Sequence, residues 1–234
     1  RRGEAGNNDD EKGDDDKFLI SLMQEARKLL LTHEINQVRL DLKENPANAI
    51  WLWGQGKRPN LPGFKDKYGL SGSVISAVDL IKGIGRVAGL EVINVEGATG
   101  YYDTNYKGKA EAAIASLKKK DLVYVHVEAP DEASHNGDLQ QKILAIERFD
   151  QFVVGGILEA FKGRQDFRIL LMPDHATPLS LRTHSADMVC FAMFGKGISP
   201  SGAEGFNEAE AKRSGIALEN ACVLMDRLVK EEEI

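Results

Sequence analysis

The chain has only two cysteines in 234 residues, Cys190 and Cys222. That number excludes a disulfide framework and points to reduced thiols in a cytoplasmic protein. Cys190 lies inside the apolar run M-V-C-F-A-M-F, where a buried, inert thiol is expected. Long apolar stretches are also missing, and no run approaches the ~18 residues of a membrane span. Basic excess is absent. The formal net charge is −6, which argues against a nucleic-acid partner, because that role needs a positive field. A signal peptide and an initiating Met are absent too, and the opening R-R-G-E-A-G-N-N-D-D reads as the middle of something. Residues 1–16 hold almost no apolar side chains and read as a solvated segment.

What remains is an ordinary globular composition, long enough to bury a sizeable core. Helical spacing of apolar residues predicts helices over 17–31 and 35–42, the second stopped by Asn45-Pro46. The run A-I-W-L-W predicts a strand over 49–53. The loop G-Q-G-K-R-P-N-L-P-G that follows is the expected domain boundary, dividing 1–62 from 63–234. Beyond it, helices are expected over 74–87, 109–119, 140–161 and 216–230, and strands over 90–95, 121–127, 167–172 and 188–194. Such alternation implies an α/β fold with a mostly parallel sheet and helices on both faces.

Histidine is scarce as well, at five residues, and three of the five fall in the last half beside carboxylates or hydroxyls. In a sheet of this kind, sites form beyond the carboxyl ends of the strands. Strand D-L-V-Y-V-H-V runs into E-A-P-D-E-A-S-H, which carries Asp131 and His135. Strand F-R-I-L-L-M runs into P-D-H-A-T-P, which carries Asp174 and His175. The loop R-T-H-S-A-D places His184 at the start of the next strand, and only an antiparallel strand would bring that start to the same rim. Imidazole with carboxylate binds borderline divalent ions, and paired ions serve phosphoryl transfer. Each piece has a plainer reading, Asp131 as a helix cap, Asp174 as a turn residue and His184 as a loop histidine. The three pieces together favour a metal site.

V-E-A-P-D-E-A-S-H, P-D-H-A-T-P and R-T-H-S-A-D together resemble the cofactor-independent phosphoglycerate mutases of the archaeal type, within the alkaline phosphatase superfamily. The similarity extends through N-P-A-N-A-I-W-L-W-G-Q-G-K-R-P, Y-G-L-S-G-S-V-I-S-A-V-D-L-I-K-G-I-G and G-A-T-G-Y-Y-D-T-N-Y-K-G-K-A, over roughly residues 17–194. The resemblance implies an alkaline-phosphatase-like sheet, with residues 1–62 as the end of a smaller inserted domain. It implies interconversion of 3-phosphoglycerate and 2-phosphoglycerate, in glycolysis and gluconeogenesis, through a phosphoserine intermediate. It implies two divalent ions, Mn²⁺ foremost, with Zn²⁺, Co²⁺ or Mg²⁺ as alternatives. Asp131, His135 and His184 would hold one ion; Asp174 and His175 would hold part of the other. The family's opening strand, the Asp that completes the second ion and the nucleophilic Ser find no match, and Ser71, Ser73, Ser76 and Ser134 stand in other contexts. The chain is therefore expected to be a C-terminal portion, inactive alone, whose partner is the missing N-terminal segment. Lys57, Arg58 and Lys82 are candidate ligands for substrate phosphate or carboxylate. The alternatives are a phosphomonoesterase or small-metabolite kinase on the same scaffold, or a metal-binding subunit without catalysis.

Overall fold

The computed structural model describes residues 9–52, 56–57 and 59–230. Arg58 and Trp53 lie outside the described residues. The chain divides into two compact units, one ending at Pro59 and one beginning at Asn60.

The first unit holds two helices, α1 (Asp9–Leu31) and α2 (Glu34–Asp41). Asn36 is buried and ties the end of α1 to the segment after α2. Its Nδ2 donates to the carbonyls of Leu30 and Ala47 at 2.6 and 2.8 Å, and its Oδ1 accepts from Ala47 N at 2.9 Å. The strand expected over 49–53 is not formed in its described part, residues 49–52. Trp51 there is 80% exposed, and with no partner strand among the described residues the backbone of this exposed run is left to water, which does not hold it in a ladder.

The second unit opens with α3 (Phe64–Tyr68) and β1 (Gly72–Ile75), followed by α4 (Asp79–Val87) and β2 (Glu91–Ile93). Here the expected helix over 74–87 is corrected, because its first part is β1. The run G-S-V-I is buried along its whole length and pairs on both edges, parallel to β2 and to β3 (Leu122–Val125). A short apolar run flanked by Gly and Ser has no helical period of its own, and burial on both faces decides it as a strand. Helix α4 lies close on β1, since a Cβ at Gly85 would come within 2.5 Å of Val74 Cγ1.

Between β2 and β3 runs α5 (Tyr106–Ser116). After β3 come α6 (Ala129–Asn136) and α7 (Leu139–Arg148), then a π turn over Phe149–Val154 and α8 (Gly155–Ala160). The long helix expected over 140–161 is thus one helical run with a widened turn in its middle. A core of Tyr106, Ala129, Ala145 and Val153 lies beneath, with Val125, Val127, Phe149 and Ile157 packed against it.

A second sheet pairs β4 (Arg168–Leu171) with β5 (Ala192–Gly195). The pairing is antiparallel, whereas the three-stranded sheet, in order β2-β1-β3, is parallel throughout. The strand expected over 188–194 begins only at Ala192, leaving Met188 exposed before it. The last expected helix is shorter, α10 (Val223–Lys230), and α9 (Glu208–Ser214) precedes it. The architecture is α/β, a parallel sheet flanked by helices. Among the described residues no helix is long and apolar enough to cross a membrane.

Candidate metal centre

Helix α6 starts directly beyond β3, with Pro130 in its first turn, where a missing N–H is harmless. It ends at Asn136 and is capped by the left-handed Gly137. Asp131 and His135 are four residues apart on this helix and so share a face. His135 Nε2 lies 3.2 Å from Asp131 Oδ2.

The segment after β4 supplies the opposite wall. The isolated antiparallel bridge Ala176↔Ser185 sets Thr177 across from His184, and the two-residue period of extended chain puts His175 on the same side as Thr177. The antiparallel return is what brings His184 to the rim reached by the end of β4. The rings of His175 and His184 lie 3.7 Å apart, centroid to centroid. His184 Nε2 stands 3.3 Å from Asp131 Oδ1 and 3.2 Å from His135 Nε2.

The hydrogen bonds fix two tautomers. A carbonyl only accepts, so His135 Nδ1 donates to Arg182 O at 2.9 Å and its Nε2 lone pair faces the cluster. The Thr177 hydroxyl donates to Asp131 Oδ1 at 2.5 Å, which spends its proton. His175 Nδ1, 3.1 Å from the same Oγ1, must then be the donor of that pair. Its Nε2 is left free, 3.5 Å from Asp174 Oδ2. Asp174 also accepts from His175 N at 3.0 Å, so it shapes the turn as well as facing the cluster.

The five expected ligands are therefore brought into one cluster. This donor set fits a divalent ion. The two oxygens of Asp131 face different histidines, Oδ2 toward His135 Nε2 at 3.2 Å and Oδ1 toward His184 Nε2 at 3.3 Å, and the two imidazole nitrogens are 3.2 Å apart, close to the donor–donor edge of about 3.3–3.6 Å in a tetrahedral shell. Asp131, His175 and His184 also offer atoms within 4.8 Å of one another. Asp131 and His184 are common to both groupings.

Around the cluster the field is negative. Glu128, Asp131 and Glu132 crowd their carboxylates within 4.8 Å. Burial, and then the charges of Asp131 and Asp174, push the Glu128 carboxyl above its ordinary range. His126 Nε2 faces Glu128 Oε2 at 3.3 Å, and its Nδ1 meets Ser76 Oγ at 3.1 Å. Burial holds the His126 imidazole below its usual value. Behind it, the ammonium of the fully buried Lys109 donates to His126 O at 3.0 Å, and burial lowers its pKa to about 8 against the attraction of Glu128.

Several contributors were not among the expected ligands. Thr177, Arg182 and Lys142 each hold the cluster from outside it, Lys142 through a 2.9 Å bond to Thr177 O. Thr177 and Arg182 fall inside P-D-H-A-T-P and R-T-H-S-A-D, but nothing in those motifs marks them as holding the ligands. Asp103 and Asn105 serve the loop before α5: Asp103 accepts from Thr99 Oγ1 at 2.7 Å, and Asn105 caps α5 by accepting from Gly108 N at 2.8 Å. Lys82 lies on α4, 3.6 Å from Asp79. Lys57 is an exposed residue of the first unit.

The sequence profile of the metalloenzyme superfamily matches residues 28–231. The chain belongs to that superfamily. A 2,3-bisphosphoglycerate-independent phosphoglycerate mutase of Methanothrix thermoacetophila is 50% identical over 208 residues, which cover 88% of this chain and 53% of the relative. One of the same description from Methanosarcina acetivorans is 49% identical over 221 residues, covering 94% and 56%. This superfamily member thus spans about half the length of the curated relatives it matches. A solved structure from Pyrococcus horikoshii superposes with a TM-score of 0.79 at 31% identity, over 93% of this chain and 58% of the other. The cofactor-independent phosphoglycerate mutase of Thermoplasma acidophilum shares the fold, with a TM-score of 0.58 at 22% identity, over 92% and 51%.

Proposed function

We propose that this chain is the metal-binding part of a cofactor-independent phosphoglycerate mutase that interconverts 3-phosphoglycerate and 2-phosphoglycerate. The observation that carries the reading is the convergence of Asp131, His135 and His184, with His175 and Asp174 beside them, in a chain half identical to mutases so described. One divalent ion would be held by Asp131, His135 and His184, the other in part by Asp174 and His175, with Mn²⁺ the first candidate. When bound, such ions polarise phosphoryl oxygens and stabilise the charge that develops during transfer. The chain's own part is to hold the ligands in order. Thr177 anchors Asp131 and His175, and Arg182 O and Thr177 keep the protons of His135 and His175 on Nδ1, away from the ions.

Transfer through a phosphoserine needs a nucleophile, and Ser71, Ser73, Ser76 and Ser134 stand outside the sequence context in which the family carries it. Ser71 donates to Asp121, Ser73 is bonded to Ser116, Ser76 to His126, and Ser134 donates to Pro130 O. The reading therefore assigns the nucleophile to a segment outside this sequence, which acts as its partner, and leaves this chain inactive alone. Lys57, Arg58 and Lys82 are assigned to the phosphate and carboxylate of the substrate. The setting is the cytoplasm, in glycolysis and gluconeogenesis. The test is to supply the intact protein with 3-phosphoglycerate and Mn²⁺ and follow the products by ³¹P NMR. Accumulation of 2-phosphoglycerate to equilibrium is expected. Free phosphate in its place would replace the mutase with a phosphomonoesterase.

A further inference from the structure

Arg182 has φ +52°, in the left-handed region that residues with a side chain seldom enter. The turn that holds it there is closed by Leu181 N and Arg182 N, which donate to Pro178 O at 3.0 and 2.9 Å. From this backbone setting the Arg182 carbonyl reaches His135 Nδ1 at 2.9 Å. Its guanidinium rests on the end of α6, where a Cβ added to Gly137 would meet Arg182 Nε at 2.5 Å. Two residues on, His184 meets His135 and Asp131.

On the other side of the His135 ring, Asp131 Oδ2 lies 3.2 Å from Nε2. A neutral imidazole with no acceptor at Nδ1 would place its proton on Nε2, toward that carboxylate. In that tautomer the nitrogen facing the cluster has no lone pair for an ion. The carbonyl of Arg182 competes with the Asp131 carboxylate for the one imidazole proton.

We infer that Arg182 is a positioning residue of the metal centre, whose left-handed backbone presents the carbonyl that keeps His135 in its ion-binding tautomer. The inference rests on the reading of His135 as a ligand. It assigns the effect to the backbone of Arg182, not to its charge. The experiment compares Arg182→Gly, Arg182→Ala and Arg182→Val in the intact protein. Glycine enters the left-handed region freely, alanine with some strain, and a β-branched residue hardly at all.

Two readouts are taken. The first is the Mn²⁺ dissociation constant by calorimetry. The second is the ¹⁵N spectrum of His135 in metal-free protein, which reports which ring nitrogen carries the proton. Arg182→Val is expected to weaken Mn²⁺ binding about 10–100-fold, the usual effect of losing an outer-shell partner, and to move the proton to Nε2. Arg182→Gly should stay within about 3-fold and keep Nδ1–H, with Arg182→Ala between them. If valine prevents folding, the alanine and glycine variants decide. Equal losses in glycine and valine would overturn the inference in favour of the guanidinium, and retention of Nδ1–H in the valine variant would also overturn it. Absence of binding of Mn²⁺, Zn²⁺, Co²⁺ and Mg²⁺ alike by the unmodified protein would defeat the proposed function, while the metal-free tautomer comparison would still decide the role of Arg182.

Discussion

Replacing Lys109 by Met isolates the buried ammonium beneath the cluster. Lys109 is fully buried, and its pKa falls from 10.5 to about 8 because burial disfavours the charged form. The unfolded chain therefore binds more protons than the folded one from about pH 8 to about pH 10.5, and stability must rise with pH across that window. With those two pKa values the lysine adds about 2 kcal/mol between about pH 8 and pH 10. Methionine cannot titrate, so the variant lacks this rise. Near neutral pH the variant is relieved of about 3 kcal/mol of charge burial. It also leaves His126 O without its Nζ donor, a loss of about 1–3 kcal/mol. The two proteins should then differ by less than about 2 kcal/mol at neutral pH. Urea unfolding at several pH values measures the comparison. Burial also raises the tyrosines Tyr106 and Tyr124 and the thiol of Cys190, which destabilise the fold at high pH in both proteins and cancel in the difference. The stability of the wild type minus that of the variant should climb by about 2 kcal/mol from pH 8 to pH 10, or about 1 M in urea midpoint. A difference that stays constant over this range would refute the argument.

Three further outcomes are expected. Asp131→Asn combined with His135→Ala should strip the bound divalent ion, read as metal per chain by elemental analysis, and abolish the fall in Tm that a chelator causes in the wild type; unchanged metal content would remove both residues from the site. Thr177→Val takes away the hydroxyl shared by Asp131 and His175, and should weaken metal binding about 10–100-fold with little change in the far-ultraviolet spectrum. Tyr106→Phe removes a buried hydroxyl that has no hydrogen-bond partner among the described residues; stability should rise or stay level by chemical denaturation, and a loss above about 1 kcal/mol would show that the hydroxyl has a partner after all.

Much of this molecule was legible in one dimension. Helical spacing located α2, α5 and α7, and the apolar run of β3 was plain. The Asp131–His135 pair could be placed on one helical face from its spacing alone. Where the reading failed, the local signal was ambiguous. The residues of β1 carry no period, and their strand character comes from two neighbouring strands supplied by distant sequence. The run at 49–52 has strand composition and no partner strand among the described residues, so the same chemistry gives no strand.

The sequence by itself determined which side chains were available for the site. It is short of histidine, and it places Asp131, His135, Asp174, His175 and His184 at the ends of segments that must reach a sheet edge. Only the tertiary structure decided that they meet. The antiparallel return through Ala176 and Ser185 carries His184 back to α6, a contact across 49 residues of chain. It also decided what orients them, because a backbone carbonyl at Arg182 and a hydroxyl at Thr177 leave no signature in spacing. A ligand can be recognised by residue type, whereas the acceptor that sets its tautomer can be any residue whose backbone is brought there.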